Sequence, residues 1–427
     1  MLDRRNVDGS TMTRRELLAS AGGLAVAAAL PAGLAAGDVS ARPLPSQQAF
    51  PRKDDFDIPA GVTYLNGAYM HPMPAVVRDA VRDYVDRRAG FTTRTSADPN
   101  ISSAVKAAFA RLINAEPDEI AFVPNTSTGE VLTVRGLGIP ETGGNVVTDA
   151  LHFEGAIVHL ESLARRSELD VRIAMPRDGR IDLEDLDRLI DRETRLVELS
   201  LVTMYNGFEH DLKAVCDLAH SRGAYVYADI IQAVGAVPLD VRATGVDFCA
   251  CSGFKWLMAD LGLGFLYARK ELLGTAVQRP QVGYHSVSSY RTHFLPYDEP
   301  GDGPFSWELG DSASAFFEVG SVSGAARAAL AASIPYLLEL DVAAIQRHRQ
   351  PLLDRLREEM PRLGFECVTP EASTSPIITF TMPDGDPVRE RLETAGVDVR
   401  VADTYVRFSP SVYNDMADVE RALDALT

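Results

Sequence analysis

The sequence predicts an α/β fold in which a mostly parallel, seven-stranded sheet lies between helices and a smaller α+β lobe follows. Three observations point there. Between residues 101 and 270, seven short apolar runs alternate with segments of helical periodicity. Runs that are continuously apolar, rather than alternating, suit parallel strands buried on both faces by crossover helices. At 427 residues and 46% hydrophobic composition, the chain also has enough apolar surface for a large core and a second lobe.

Taken in order, residues 1–37 read as a twin-arginine export signal. Arg14 and Arg15 precede an Ala/Leu/Gly stretch too short to span a membrane, followed by small residues where a peptidase could cut. The sequence thus predicts a periplasmic protein, handled by the twin-arginine export machinery, with no stable membrane association. Residues 38–75 form a linker and an N-terminal arm, which includes the turn-rich "YLNGAYMHPMP" and leads into the amphipathic "AVVRDAVRDYVDRRAG".

The large domain is assigned to residues 76–305. Its strands are "EIAFVPN", "GNVVTDA", "VRIAMP", "RLVELSLVTM", "AYVYADI", "VDFCACSG" and "GFLYA", and its helices include "SAVKAAFARLIN", "GAIVHLESLARRS", "LEDLDRLI" and "LKAVCDLAHSRG". Residues 306–427 form the smaller domain, opened by one long helix, "GAARAALAASIPYLLELDVAAIQRHRQPLLDRLREEM". The net charge of −18 argues against nucleic-acid partners, which require basic surface. The four cysteines, Cys216, Cys249, Cys251 and Cys367, have neither disulfide-framework nor metal-site spacing.

Chemistry enters through two residues. In an open α/β sheet, functional groups collect in the crevice at the carboxyl ends of the strands. Asp229 closes "AYVYAD" and Lys255 follows "DFCACSG", so both fall there. Lysine is scarce, only Lys53, Lys106, Lys213, Lys255 and Lys270 being present; Lys106 and Lys213 lie on amphipathic helices, Lys270 is in the charged "ARKE", and Lys255 has apolar surroundings. A desolvated lysine loses preference for its charged form and becomes a nucleophile toward carbonyls. Pyridoxal phosphate exploits such a lysine as a Schiff base, with a carboxylate on its pyridinium nitrogen. Periodicity alone leaves an exposed lysine and a strand-end cap equally open.

Together, "ADIIQAVGAVPLDV" and "DFCACSGFKWLMADLGLGFLYARKELL" resemble the aminotransferase class V family of fold-type I pyridoxal-phosphate enzymes. That family includes cysteine desulfurases, kynureninase and isopenicillin N epimerase-like proteins. The resemblance, carried by D-x-x-Q…S-G-x-K, runs from about Tyr64 to the C-terminus. It implies that Lys255 binds the cofactor covalently and shuttles a proton, that Asp229 pairs with the ring nitrogen, and that Gln232 bonds the phenolic oxygen. His152 would stack on the ring. Ser127, Thr128 and Ser252 would hold the phosphate, the first two at a helix N-terminus, a natural anion site. Phe254 replaces a histidine common in relatives and so removes one phosphate contact.

The same resemblance implies that Ser321, in "FFEVGSVSG", reaches the phosphate of a neighbouring subunit, making a homodimer with shared sites, although Phe316 replaces the usual arginine. Arg407, in "YVRFSPSVYN", would bind the substrate carboxylate bidentately. Asn66 and Ala68 would line the entrance, and either Met204 or Asn206 would face the ring.

No cysteine lies in the short stretch before Arg407, and Cys367 falls on a predicted strand, so the sequence argues against persulfide chemistry on the enzyme. An export signal joined to this domain is similar to the periplasmic tailoring enzymes of pyoverdine siderophores. That likeness implies a pyoverdine precursor as substrate, its glutamate side group being converted to succinamide. An exported epimerase, aminotransferase or C–S lyase acting on another amino-acid-like metabolite is the alternative. A catalytically silent binding protein of the same fold is the third reading.

Overall fold

A computed structural model describes residues 50–90 and 100–427. The predicted export signal and the first part of the linker lie outside the described residues. The N-terminal arm contributes β1 (Thr63–Tyr64), followed by α1 (Ala75–Ala89) and α2 (Ile101–Ile113). Seven strands then build the main sheet: β2 (Ile120–Val123), β3 (Asn145–Asp149), β4 (Asp170–Ala174), β5 (Thr194–Ser200), β6 (Tyr225–Asp229), β7 (Phe248–Ser252) and β8 (Gly264–Ala268). Between them run α3 (Thr126–Gly136), α4 (Glu154–Ala164), α5 (Leu183–Leu189) and α6 (Leu212–Ser221).

The strand order is β2-β8-β7-β6-β5-β3-β4, and only β8 runs antiparallel to its neighbours. All seven strands coincide with the apolar runs of the sequence. The two sheet faces are packed separately. Val147, Val197, Val226, Ala228 and Cys251 look into one core, and Val146, Leu196, Tyr227, Ala250 and Leu266 into the other. That alternation within a sheet covered on both faces is the reason each strand reads as apolar throughout.

Past the sheet, β9 (Val287–Thr292) and β10 (Phe305–Leu309) form an antiparallel hairpin that the sequence did not announce. Its Tyr290, Phe305 and Trp307 are exposed, so apolar pattern and burial part company there. A short helix, α7 (Ala313–Phe317), follows.

The long helix expected from residue 324 onward is two helices, α8 (Gly324–Leu340) and α9 (Val342–Glu359), meeting at 72°. The break is at Asp341, whose φ of 64° cannot continue a right-handed helix and whose carboxylate accepts from the Ala343 amide. As a result, α8 packs on α1 and α2 as part of the large core, while α9 joins a third core. That third core covers the four-stranded sheet of β11 (Glu366–Cys367), β12 (Ile378–Thr381), β15 (Tyr405–Phe408) and β14 (Arg400–Val401). The arm closes onto this layer, with β1 pairing in parallel with β13 (Val397–Asp398) and Leu65 buried in the third core.

Candidate active site

A cavity of about 240 Å³ opens at the carboxyl ends of β5, β6 and β7. Its walls include Thr126, Ser127, Phe153, Ser200, Met204, Asp229, Gln232, Ser252, Phe254 and Lys255. The parallel strands deliver Ser200, Asp229 and Ser252 as their last residues, which is why side chains distant in sequence share one floor.

Lys255 projects into this space with its amine over the Phe254 ring, 5.8 Å from the centroid. Among the described residues, the other four lysines each meet a carboxylate, in the pairs Lys53–Asp415, Lys106–Glu318, Lys213–Asp217 and Lys270–Asp118. Burial pushes the Lys255 amine down to about 8, partly opposed by the charge of Asp229. Asp229 is itself buried, which raises its carboxyl, while His152, the Ile231 amide and Lys255 pull the other way. One Asp229 oxygen accepts from the Ile231 amide at 2.8 Å, fixing the carboxylate at the strand end.

At the first turn of α3, the Thr126 amide donates to the Ser252 hydroxyl at 3.1 Å, so strand β7 and the helix N-terminus are tied together. Thr126 and Ser127 line the cavity. Thr128 does not: its amide and hydroxyl both donate to the Asn125 side chain, at 2.9 and 3.0 Å, as the helix cap. The phosphate donors expected at Ser127 and Thr128 therefore sit one residue earlier, at Thr126 and Ser127. The ambiguity belonged to the sequence, since Asn-Thr-Ser-Thr offers two registers for cap and anion ligands.

His152 is a second correction. Its ring is turned under the cavity, with Nδ1 2.8 Å from Ser200 Oγ and Nε2 3.3 Å from Glu198 Oε1. The aromatic face at that turn belongs to Phe153, which lines the cavity. Two polar partners buried on β5 hold the imidazole, and His152 is not among the residues that line the cavity.

Gln232 lies on the wall, its carboxamide held by the Ala68 carbonyl at 3.1 Å and the Trp256 indole N–H at 2.9 Å. Asn66 does not reach the cavity, because its amide donates to Asp398 at 3.0 Å and stitches the arm to β13. Of the pair left open, Met204 lines the cavity, whereas Asn206 is engaged by Thr203 and the Gly179 carbonyl. Ser321 is exposed in the connection between α7 and α8, apart from this chain's own cavity lining. No cysteine lines the cavity, and Cys367, on β11, accepts from Arg357 at 3.3 Å.

Arg407 stands behind Met204, donating to its carbonyl at 2.7 Å. Arg407 is 6% exposed, leaves Nε without a partner, and has no carboxylate paired with it among the described residues. Burial lowers it to about 10. It stands outside the cavity lining, one layer behind Met204, and its charge reaches Lys255.

The aminotransferase class V family model matches residues 63–422, which include both sheets and every residue that lines the cavity. The chain belongs to the aminotransferase class V family. A probable cysteine desulfurase of Methanothermobacter thermautotrophicus is 30% identical over 347 residues, 79% of this chain and 83% of its own length. Among solved structures, the apo cysteine desulfurase of Thermococcus onnurineus superposes with a TM-score of 0.78 at 23% identity, covering 89% of this chain and 98% of that one. A cystine C–S lyase in complex with cysteine persulfide superposes with a TM-score of 0.75 at 20% identity, covering 86% and 97%.

Pyridoxal 5′-phosphate is the cofactor of class V enzymes, and the donor set here fits it. Thr126, Ser127 and Ser252 offer hydroxyls and helix-terminal amides to a phosphate, Asp229 offers a carboxylate to a ring nitrogen, and Lys255 offers an amine to the aldehyde. Residues absent from the sequence-based set include Thr126, Phe153, Ser200 and Trp256. A signal for Thr126 existed in the register alternative, but the Trp256–Gln232 bond joins positions 24 residues apart and has no local trace.

Proposed function

We propose that this class V enzyme binds a free or peptide-borne amino acid by its carboxylate and cleaves a Cβ–S bond by elimination, without a persulfide on its own cysteine. The observation that carries the reading is Arg407, a buried cation without a carboxylate partner, set beside a cavity that contains a lysine and no cysteine. A buried charge of this kind is costly until an anion joins it, and a substrate carboxylate is that anion.

When bound, pyridoxal phosphate supplies an aldehyde to the substrate amine and a ring that withdraws electrons from the α-carbon. The chain supplies the rest. Arg407 orients the carboxylate, Lys255 removes the proton at Cα, Asp229 holds the charge opposite, and Phe153 and Met204 keep water from the reacting face. Elimination from cysteine consumes water and gives sulfide, ammonia and pyruvate, whereas desulfuration gives alanine and leaves sulfur on an enzyme cysteine. Incubating purified holoenzyme with L-cysteine or L-cystine and assaying both products decides between them. Pyruvate is expected. Alanine in stoichiometry with protein-bound sulfur, abolished in Cys367→Ser, would overturn this assignment.

An exported enzyme that modifies the glutamate side group of a pyoverdine precursor is the second reading. What favours it is the Arg14–Arg15 leader pattern, which lies outside the described residues. It requires the protein in the periplasmic fraction and unmodified glutamate side groups in a deletion strain. In either reading two copies associate, with Ser321 of each directed at its partner's phosphate end. The exposed Tyr290, Phe305 and Trp307 of the β9–β10 hairpin favour this. Sedimentation of the purified protein as a monomer would remove it.

A further inference from the structure

Beneath the cavity floor lies a set of titratable groups that cofactor and substrate binding do not require. Glu198 is fully buried near the end of β5, an acid in the middle of a run that is otherwise apolar. Its Oε1 is 3.3 Å from His152 Nε2, and His152 Nδ1 is 2.8 Å from the Ser200 hydroxyl on the cavity wall. On the other side Glu198 and Glu130, on α3, act on each other electrostatically. Glu130 Oε1 in turn is 2.7 Å from Nδ1 of His159, on α4, and His159 is 20% exposed.

The members come from four different parts of the fold, yet each interacts with the next between the surface and the cavity. We propose that His159, Glu130, Glu198, His152 and Ser200 form a proton relay that connects the protein surface to the cavity floor beside Asp229.

The chemistry of the pair at its centre requires a stored proton. Glu198 Oε2 is buried and, as an ionised oxygen, has no donor to accept from. Two carboxylates buried side by side cannot both ionise, and a proton on one gives the other a bond. Burial pushes Glu198 up to about 8 and Glu130 up to about 7, so near neutral pH the pair holds at least one proton.

The groups facing the line from the packed elements are few. Tyr227 and Asp229 face it from β6, Asp149 at the end of β3 acts on His152 from behind, and His210 pairs with Asp149 at 3.3 Å. Asp229 interacts further with Lys255. Tyr227 is held neutral by burial, and His210 Nε2 faces Asp149 Oδ2 at 3.3 Å rather than any member of the line.

In transfer, His159 takes one proton from water and gives one to Glu130. Glu130 and Glu198 each pass one on, and His152 delivers one to Ser200, which releases its own toward the cavity. Every member regains its starting state after side-chain rotation, so nothing is oxidised or consumed. The relay lets protons enter or leave the floor while substrate blocks the mouth. It operates whichever substrate the enzyme takes.

Infrared spectroscopy of the ligand-free full-length protein tests this without turnover. At neutral pH the spectrum should show the carbonyl stretch of a protonated buried carboxyl, lost in Glu198→Gln and retained in Asp229→Asn. Transfer to heavy water should shift that band, and His159→Phe should slow the shift about tenfold, the rate equivalent of one charge-assisted hydrogen bond. Absence of the band in the wild-type protein, or its survival in Glu198→Gln, would overturn the relay. So would an unchanged exchange rate in His159→Phe, which holds even where the Glu198 variant fails to fold.

Discussion

Ser200 and Asp229 stand directly opposite each other in the parallel register of β5 and β6, so a hydroxyl and a carboxylate share the cavity floor. The register fixes their separation, since one residue of slip would turn both side chains to the other face of the sheet. Asp229 is thereby placed by backbone pairing, with the Ile231 amide as its second anchor. Asp229→Asn keeps this geometry and removes the charge. Hydrogen bonds to charged groups contribute about 1.5–3 kcal/mol, so cofactor affinity should fall roughly 10- to 150-fold. Fluorescence titration of the apo variant with pyridoxal phosphate measures it, and unchanged affinity would remove Asp229 from the ring nitrogen.

The lowered pKa of Lys255 has a consequence for stability. Between its folded value of about 8 and the ordinary value of 10.5, the unfolded chain binds the extra proton. Stability of the ligand-free protein therefore rises with pH across that window, and the cost of the buried charge is felt below it. Lys255→Met should be the more stable protein at pH 7, and the difference should shrink as pH approaches 10. Urea midpoints of the two proteins at several pH values give the comparison, and parallel pH profiles would contradict it.

Arg407→Met separates folding from binding. Removing a buried guanidinium that lacks a carboxylate partner should leave the melting temperature unchanged or higher. The same change should raise KM for a carboxylate-bearing substrate about 100-fold, the order expected for a lost charge-assisted fork. A sharp drop in melting temperature with KM unchanged would make Arg407 structural.

Helix α3 reaches β7 through Gly129, where a Cβ would stand 2.6 Å from the Ala250 methyl. Gly129→Ala should therefore lift the helix from the strand and cost about 1–3 kcal/mol, as overpacking does. Because Thr126 and Ser252 are bonded across the same contact, cofactor affinity should fall with stability. Thermal unfolding with and without pyridoxal phosphate reads both effects.

The sheet was legible because burial on both faces makes each strand a contiguous apolar run, a signal that needs no knowledge of neighbours. Asp229 and Lys255 were legible for the converse reason, polar groups at the ends of apolar strands. His152 was misread because its partners, Glu198 and Ser200, lie on another strand 46 and 48 residues away. The break between α8 and α9 was hidden because Leu-Asp-Val interrupts no periodicity, and only the backbone at Asp341 reveals the turn. Thr128 was misplaced by a single residue, the distance between capping a helix and facing a ligand.

Thr63 pairs with Val397, and the Leu65 carbonyl accepts from the Ser409 amide at 2.7 Å, so chain positions more than 300 residues apart are neighbours. On the ribosome, the arm must wait for nearly the whole chain before it has anything to grip. Ala68, whose carbonyl holds Gln232 at the cavity wall, waits with it. Cofactor capture is thus coupled to completed synthesis, and a nascent or prematurely terminated chain lacks one wall of its own pocket.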